Sequence, residues 1–273
     1  MPSMQMSVTG HEGGLLTLAL AYFTSCLGCM LGLSAMSRAR SAGGGAQKRW
    51  LALGACAIGA TGIWAMHFIA MLGFSVPDWQ LTYNLPITIA SLVVAVVVVG
   101  AGLTIAVRGQ GGLRALLTGG AITGVGVAVM HYLGMSALNM PESVDYNLWL
   151  VLASVLIAVA AACVALWFAM NVRSISATIG AGMVMGVAVC GMHYTGMAAM
   201  TMHPAAAPTR EGLTADQLLM PLLFGIGLST LVMLFIAGLG PTEQEVLQEQ
   251  EIQAKLERLE VQRHSRFGQL EKP

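Results

Sequence analysis

Residues 177–200 read ATIGAGMVMGVAVCGMHYTGMAAM, a stretch without a single charged side chain. As an α-helix it is about 36 Å long, more than the roughly 30 Å hydrocarbon core of a bilayer. The whole chain has this character, since 56% of its 273 residues are hydrophobic and only 10% are charged. An ordinary soluble domain carries about 25% charged residues. The sequence therefore predicts an all-α, polytopic membrane protein whose first partner is the lipid bilayer.

Several other stretches are as long and as apolar as this one, and each predicts a membrane-spanning helix. The seven predicted helices cover residues 14–37, 50–74, 86–107, 115–138, 148–170, 177–200 and 217–239. They divide the chain into an outer N-terminal segment (1–13), a seven-helix membrane domain (14–239) and a charged helical tail (240–273).

The basic residues predict the orientation of the helices. Those between predicted helices fall mainly in the loops that follow helices 1, 3 and 5, namely Arg38, Arg40, Lys48, Arg49, Arg108, Arg114 and Arg173. The opposite loops are mainly acidic. Because positive loops stay in the cytoplasm, the N-terminus is expected outside and the tail in the cytoplasm. The formal net charge of zero argues against a nucleic-acid partner.

A short motif around a histidine occurs three times, each time near the outer end of a predicted helix. The copies are Met66-His67-Phe68-Ile69-Ala70-Met71, Met130-His131-Tyr132-Leu133-Gly134-Met135 and Met192-His193-Tyr194-Thr195-Gly196-Met197. The interval from one copy of the motif to the next contains two predicted helices, which indicates tandem, parallel two-helix repeats. Counting helical residues from the nearest arginine puts the three histidines at one depth. We therefore expect helices 2, 4 and 6 to face one another.

The spacing within the motif predicts metal ligands. Residues four apart share one face of a helix, so the expected ligand pairs are His67 with Met71, His131 with Met135, and His193 with Met197. The preceding Met66, Met130 and Met192 point to the flank, toward a neighbouring helix or a second ion. Imidazole and thioether together suit copper, as Cu(I) or Cu(II), better than the oxygen-preferring Ca²⁺ and Mg²⁺. The alternative is a purely structural polar cluster.

On these three motifs the chain resembles the MHYT family, a bacterial integral-membrane sensory domain named after the residues Met-His-Tyr-Thr. The third copy, Met192 to Thr195, spells the signature in full, whereas the second has Leu133 and the first has Phe68 and Ile69 in place of its later letters. The resemblance implies copper binding by the motif residues, sensing of oxygen, carbon monoxide or nitric oxide, and a location in the bacterial cytoplasmic (inner) membrane.

Many members of the family continue into cyclic-di-GMP or histidine-kinase output domains. After Gly240 and Pro241 this chain has only a charged segment, which is either a truncated signalling helix or a tail that contacts a separate cytoplasmic signalling partner. We expect a membrane sensor rather than an enzyme, because no carboxylate pair lies within the predicted helices. The alternatives are copper transport or handling, and a metal- or haem-dependent membrane redox enzyme. The sequence leaves open the number of copper ions and a homo-oligomer.

Overall fold

The computed structural model describes residues 14–74, 81–139, 142–204 and 212–239, together with tail positions 248, 251, 252, 255, 256 and 258. The chain divides into two compact units, residues 1–237 and 238–273. The described tail positions are all helical. The predicted outer segment 1–13 lies outside the described residues, and the predicted domain boundaries stay predictions.

Long helices form almost all of the described part of the first unit. They are α1 (Gly14–Ser41), α2 (Gly44–Leu72), α3 (Leu85–Arg108), α4 (Leu113–Ser136), α5 (Leu148–Asn171), α6 (Ile175–Ala198) and α7 (Ala215–Leu239). Helices α1 to α6 are long and apolar enough to cross a membrane. The chain is therefore a multi-pass membrane protein. In α7 the apolar stretch among the described residues is Leu223–Val232, which is shorter than the six spans. A seventh span therefore stays a prediction.

The connection between α1 and α2 is shorter than predicted. Helix α1 continues to Ser41 and α2 begins at Gly44, so only Ala42 and Gly43 separate the two helices. The predicted basic loop over 38–49 is thus largely helical, because the charged residues form the helix ends instead of a separate loop. Gly44 has a φ of 54°, which glycine adopts without the steric cost of a Cβ atom.

Helix α2 changes its hydrogen-bond register in the middle. It is α-helical over Gly44–Ala55, π-helical over Cys56–Ala65 and α-helical again over Met66–Leu72. π-Helices mostly occur as single turns, frequently at functional sites. Helix α1 packs closely on this segment. A Cβ atom on Gly28 would lie 2.3 Å from the backbone nitrogen of Gly62, which is too close for a side chain to fit. The Ser25 hydroxyl also donates a hydrogen bond of 2.7 Å to the Gly62 carbonyl.

Short strands, which the sequence did not predict, connect the helices at one end of the bundle. They are β1 (Thr82–Tyr83), β2 (Leu138–Asn139), β3 (Glu142–Tyr146), β4 (Met200–Pro204) and β5 (Leu213–Thr214). Strand β1 pairs with β2 and β5, and β3 pairs with β4, all antiparallel. We call this end the strand end, and the opposite end, which carries Arg38, Arg108 and Arg114, the arginine end.

Two hydrogen bonds of the same type join neighbouring helices at the strand end. The backbone nitrogen of Asn84 donates to the Ala137 carbonyl, and that of Asn147 donates to the Ala199 carbonyl, both at 2.8 Å. The two asparagine side chains also cap the first turns of α3 and α5. The start of α3 is thus fixed to the end of α4, and the start of α5 to the end of α6.

Two apolar clusters fill the interior. The arginine-end cluster includes Met36, Leu103, Met130 and Met192, and the strand-end cluster includes Phe68, Tyr83, Met71, Met135 and Met197. In α4 and α6 the histidine of the motif lies between a methionine of the first cluster and a methionine of the second. The fold therefore holds these histidines at the boundary between the clusters.

Candidate metal centre

The three motif histidines meet in the interior of the bundle. The Nδ1 atom of His67 lies 3.0 Å from Nδ1 of His193 and 3.2 Å from Nδ1 of His131. Neighbouring ring centroids are 4.9 to 5.1 Å apart, with the rings edge to face. Each histidine is only 1% exposed. Within the described residues, these three form the cluster of ligand-type side chains that is close enough to hold one metal ion.

Small residues of the neighbouring helix make room for the rings. A Cβ atom on Gly134 would lie 2.4 Å from Nε2 of His67, and a Cβ atom on Gly196 would lie 2.4 Å from Nε2 of His131. The ring from α2 therefore rests on the backbone of α4, and the ring from α4 rests on the backbone of α6. Ala70 takes the corresponding position in the first copy of the motif.

The protons of the three rings cannot all be paired. A neutral imidazole has one N–H donor and one lone pair. The Nε2 atoms of His67 and His131 are buried and have no hydrogen-bond partner among the described residues. If Nε2 carries the proton, the lone pairs of the Nδ1 atoms face one another across 3.0 and 3.2 Å. A cation between the Nδ1 atoms would bind those lone pairs.

The spacing of the Nδ1 atoms fits a single ion. Nitrogen ligands bound at about 2.0–2.1 Å lie about 2.8 to 3.6 Å from one another, depending on the coordination angle. The two distances of 3.0 and 3.2 Å fall in this range. Three imidazole donors suit copper, zinc, iron or nickel, so the histidines by themselves do not select among these metals.

The six motif methionines are all buried, with exposed fractions between 1% and 5%. Met71, Met135 and Met197, which are predicted to share a face with the histidines, belong together in the strand-end cluster. The flanking methionines divide between the clusters: Met66 lies in the strand-end cluster, and Met130 and Met192 lie in the arginine-end cluster. Ligation by their sulfur atoms stays a prediction.

An aromatic side chain stands edge-on against each histidine. Phe68, Tyr132 and Tyr194 each follow their histidine in the chain, and each ring centroid lies 4.9 Å from that of the histidine. The Tyr132 hydroxyl is hydrogen-bonded to Ser154 Oγ at 2.8 Å. The aromatic rings help to fix the histidine rings in place.

Other polar side chains near the motif have structural partners. The indole of Trp64 donates to Ser91 Oγ at 3.0 Å, and Thr195 Oγ1 donates to the Gly191 carbonyl of its own helix at 2.7 Å. At the strand end the buried Tyr83 hydroxyl donates to the Met71 carbonyl at 3.4 Å. Burial raises the pKa of the Tyr83 phenol, so it remains a donor.

Two features near the site were not evident from the sequence. One is the π-helical segment Cys56–Ala65 directly before the first motif, and the other is the hydrogen bond from Ser25 to this segment. The unusual proportion of glycine and alanine in residues 54–62 was the only signal of a close helix contact there.

Much of the chain matches known proteins. The sequence profile named MHYT, a bacterial signalling protein N-terminal repeat, matches residues 61–119, 124–182 and 186–248. The bifunctional diguanylate cyclase/cyclic di-GMP phosphodiesterase MucR of Pseudomonas aeruginosa is 42% identical over 188 residues, which is 67% of this chain and 27% of that protein. No solved structure matches the chain.

Two further relatives match a longer part of the chain. The cyclic di-GMP phosphodiesterase NbdA of Pseudomonas aeruginosa is 34% identical over 218 residues, 77% of this chain and 27% of that protein. The signaling protein YkoW of Bacillus subtilis is 31% identical over 198 residues, 70% of this chain and 24% of that protein. The matched region therefore spans about a quarter of the length of each of these relatives.

Proposed function

Because the chain belongs to the MHYT family of bacterial signalling proteins, we propose that it is a membrane sensor that receives its signal at a copper ion held by His67, His131 and His193. The observation that carries this proposal is the convergence of three buried Nδ1 atoms. Nδ1 of His67 lies 3.0 Å from that of His193 and 3.2 Å from that of His131. Uncompensated burial of polar groups is costly, so such a cluster needs a partner. A cation is the partner that three lone pairs favour.

Copper is favoured over zinc by the methionines of the three motifs. Met71, Met135 and Met197 lie four residues after the histidines, and all three are in the same buried cluster. Thioether sulfur is a soft donor that selects Cu(I). Met66, Met130 and Met192 flank the centre and would serve as further donors or as packing residues.

The chain prepares this centre for binding in three ways. Burial excludes water, the backbone at Gly134 and Gly196 seats two of the rings, and the aromatic neighbours fix ring orientation. A bound copper ion would supply a centre that can gain or lose one electron and can take a small molecule such as oxygen, carbon monoxide or nitric oxide as a further ligand. Because His67 lies two residues after the end of the π-helical segment, a shift of its ring would be passed to α2 and to α1.

The orientation that goes with this function puts the strand end at the outer face of the bacterial cytoplasmic membrane. The arginine end then faces the cytoplasm, as the positive-inside rule requires. Helix α7 would be the seventh span and would lead to a tail that contacts a cytoplasmic signalling partner. The names of MucR and NbdA support cyclic di-GMP turnover as the controlled output. The chain itself would be non-catalytic.

Metal content of the purified protein in lipid nanodiscs tests the proposal. Samples are loaded separately with Cu(I), Cu(II) and Zn²⁺, washed and measured by mass spectrometry. The triple variant His67→Ala, His131→Ala, His193→Ala should lose the copper that the wild type retains. Thr195→Val is the matched control, because its hydroxyl bonds only to its own helix in the described contacts. Equal copper in the triple variant and the wild type would refute the site.

A second set of variants tests the role of sulfur. Met71→Leu, Met135→Leu and Met197→Leu together nearly conserve side-chain volume but remove the soft donors. We expect Cu(I) affinity to fall at least tenfold while Zn²⁺ affinity changes less than twofold. If both affinities stay the same, the histidines alone bind the metal and the preference for copper is wrong.

A further inference from the structure

A partly open cavity of 60 Å³ lies next to the histidine cluster. Among its lining residues are Ile63, Val127 and Val189. Each of them lies four residues before a motif histidine, namely His67, His131 and His193. A residue four positions earlier in these helices is on the same face and about one turn nearer the arginine end. The cavity therefore lies directly beneath the three rings, on the side of the arginine end.

The same three helices also line the cavity further down. Thr123 and Met185 line it and lie eight residues before His131 and His193, about two turns below them. On α2 the corresponding lining residue is Ile58, nine residues before His67. The additional residue reflects the wider turns of the π-helical segment in α2. The cavity is thus coaxial with the histidine cluster over two turns.

Size and polarity restrict what the cavity can hold. Its volume of 60 Å³ is less than half that of an apolar cavity of about 150 Å³ that binds benzene and xenon. The lining is aliphatic apart from sulfur and one hydroxyl, that of Thr123, which already donates to the Val98 carbonyl at 3.2 Å. Buried water needs two to four polar partners. A small uncharged molecule that needs no hydrogen bond fits better.

The cavity has a wall of small side chains toward the lipid. Ala161 and Ala165 of α5 and Ala188 of α6 line it and are each half-buried, so they face both the cavity and the outside of the bundle. In a membrane this side is in contact with lipid chains. Apolar solutes favour such an environment over water. This side of the cavity is therefore the one from which a gas dissolved in the lipid phase would enter.

We propose that this cavity binds an uncharged diatomic molecule of the size and polarity of dioxygen and presents it to the histidine centre from below. Occupation of the cavity depends only on its shape and polarity. What the bound molecule then does rests on the proposed function, because only a metal held by the histidines would respond to it.

Xenon is the probe for a test in nanodiscs by methyl NMR. Methyl resonances of Ile63, Val127 and Val189 should shift with xenon pressure and reach saturation. The methyl groups of Val129, which is 52% exposed on α4, should respond only linearly, as lipid-facing groups do. Ala162 lines the cavity, and Ala162→Leu fills it. This variant should reduce the saturable shift at least tenfold.

The matched control is Ala160→Leu, the same substitution on the exposed side of α5. It should leave the saturable shift within twofold of the wild type. Leu166→Ala enlarges the cavity and should strengthen xenon binding, which keeps the test valid if Ala162→Leu does not fold. A wild type without a saturable shift, or a folded Ala162→Leu variant that keeps it, would overturn the proposal.

Copper content measured on the same samples separates this inference from the proposed function. A protein that binds copper but shows no saturable xenon shift contradicts the gas cavity alone. A protein that shows the shift but binds no copper contradicts the copper sensor alone.

Discussion

The substitution Gly134→Ala should weaken metal binding without removing any ligand. The added Cβ atom would lie 2.4 Å from Nε2 of His67, whereas ordinary contact begins at 3.4 Å, so the ring must retreat by about 1.0 Å. Such a retreat changes the distances from Nδ1 of His67 to the other two Nδ1 atoms, which are 3.0 and 3.2 Å. Metal–ligand distances tolerate only about 0.2 Å.

The expected result is a copper dissociation constant about 100-fold higher, which corresponds to about 2.7 kcal/mol. The effect on folding should be smaller, because two contributions oppose each other. Alanine is favoured over glycine inside a helix by about 1 kcal/mol. Overpacking costs about 1–3 kcal/mol. We therefore expect a loss of up to about 2 kcal/mol in the free energy of unfolding, much less than unfolding of the bundle requires.

Competition with a copper chelator measures the dissociation constant in nanodiscs. The matched control is Gly191→Ala on α6, where an added Cβ atom has nothing within 4 Å and the gain in helix propensity is the same. Gly196→Ala should reproduce the effect through His131, since the added atom would lie 2.4 Å from its Nε2. If Gly134→Ala and Gly191→Ala bind copper equally well, the ring does not hold the position on which the metal centre depends.

Three further outcomes are expected. Ser25→Ala leaves the buried Gly62 carbonyl without its donor, so the free energy of unfolding should fall by about 1–3 kcal/mol, whereas Ser136→Ala, exposed and bonded to its own helix, should have little effect. Tyr132→Phe removes one hydroxyl but keeps the ring, so stability should fall by about 1 kcal/mol while copper content stays within twofold of the wild type. In a cysteine-free background, an impermeant maleimide should label Ser136→Cys in intact cells and Arg114→Cys only after the membrane is opened, and the reverse pattern would contradict the proposed orientation.

Much of the bundle follows from hydropathy and counting. Helices α3 to α6 begin and end within two residues of the sequence prediction, because in lipid the backbone polar groups must be hydrogen-bonded within the helix along the whole apolar stretch. The count from Arg49, Arg114 and Arg173 placed the three histidines at one depth, and the structure brings their rings into contact. Because the rise per residue of a helix is fixed, the depth of a residue in the membrane can be calculated from the sequence alone.

The π-helical hydrogen-bond register of α2 and the positions of the methionine sulfur atoms did not follow from the sequence in the same way. The polarity of residues 56–65 is compatible with either an α- or a π-helix, and the close approach of Gly28 from another helix to Gly62 is a tertiary contact that local pattern does not contain. Methionine has three rotatable bonds, so the spacing of Met71 from His67 sets the face of the helix but not where the sulfur lies. The strands depended on pairing between distant loops, which local pattern does not contain.

The three histidines that meet in the core belong to a single polypeptide, although they lie on three similar repeats. A symmetric site made by three separate subunits falls apart when the protein is dilute, because assembly depends on subunit concentration. Here the three histidines are tethered in one chain, so their effective concentration is set by the fold. If the proposed metal binds there, its occupancy depends on the free metal concentration and not on the assembly of ligands from separate subunits. The repeats are also free to diverge, since a mutation in one copy alters one ligand rather than three.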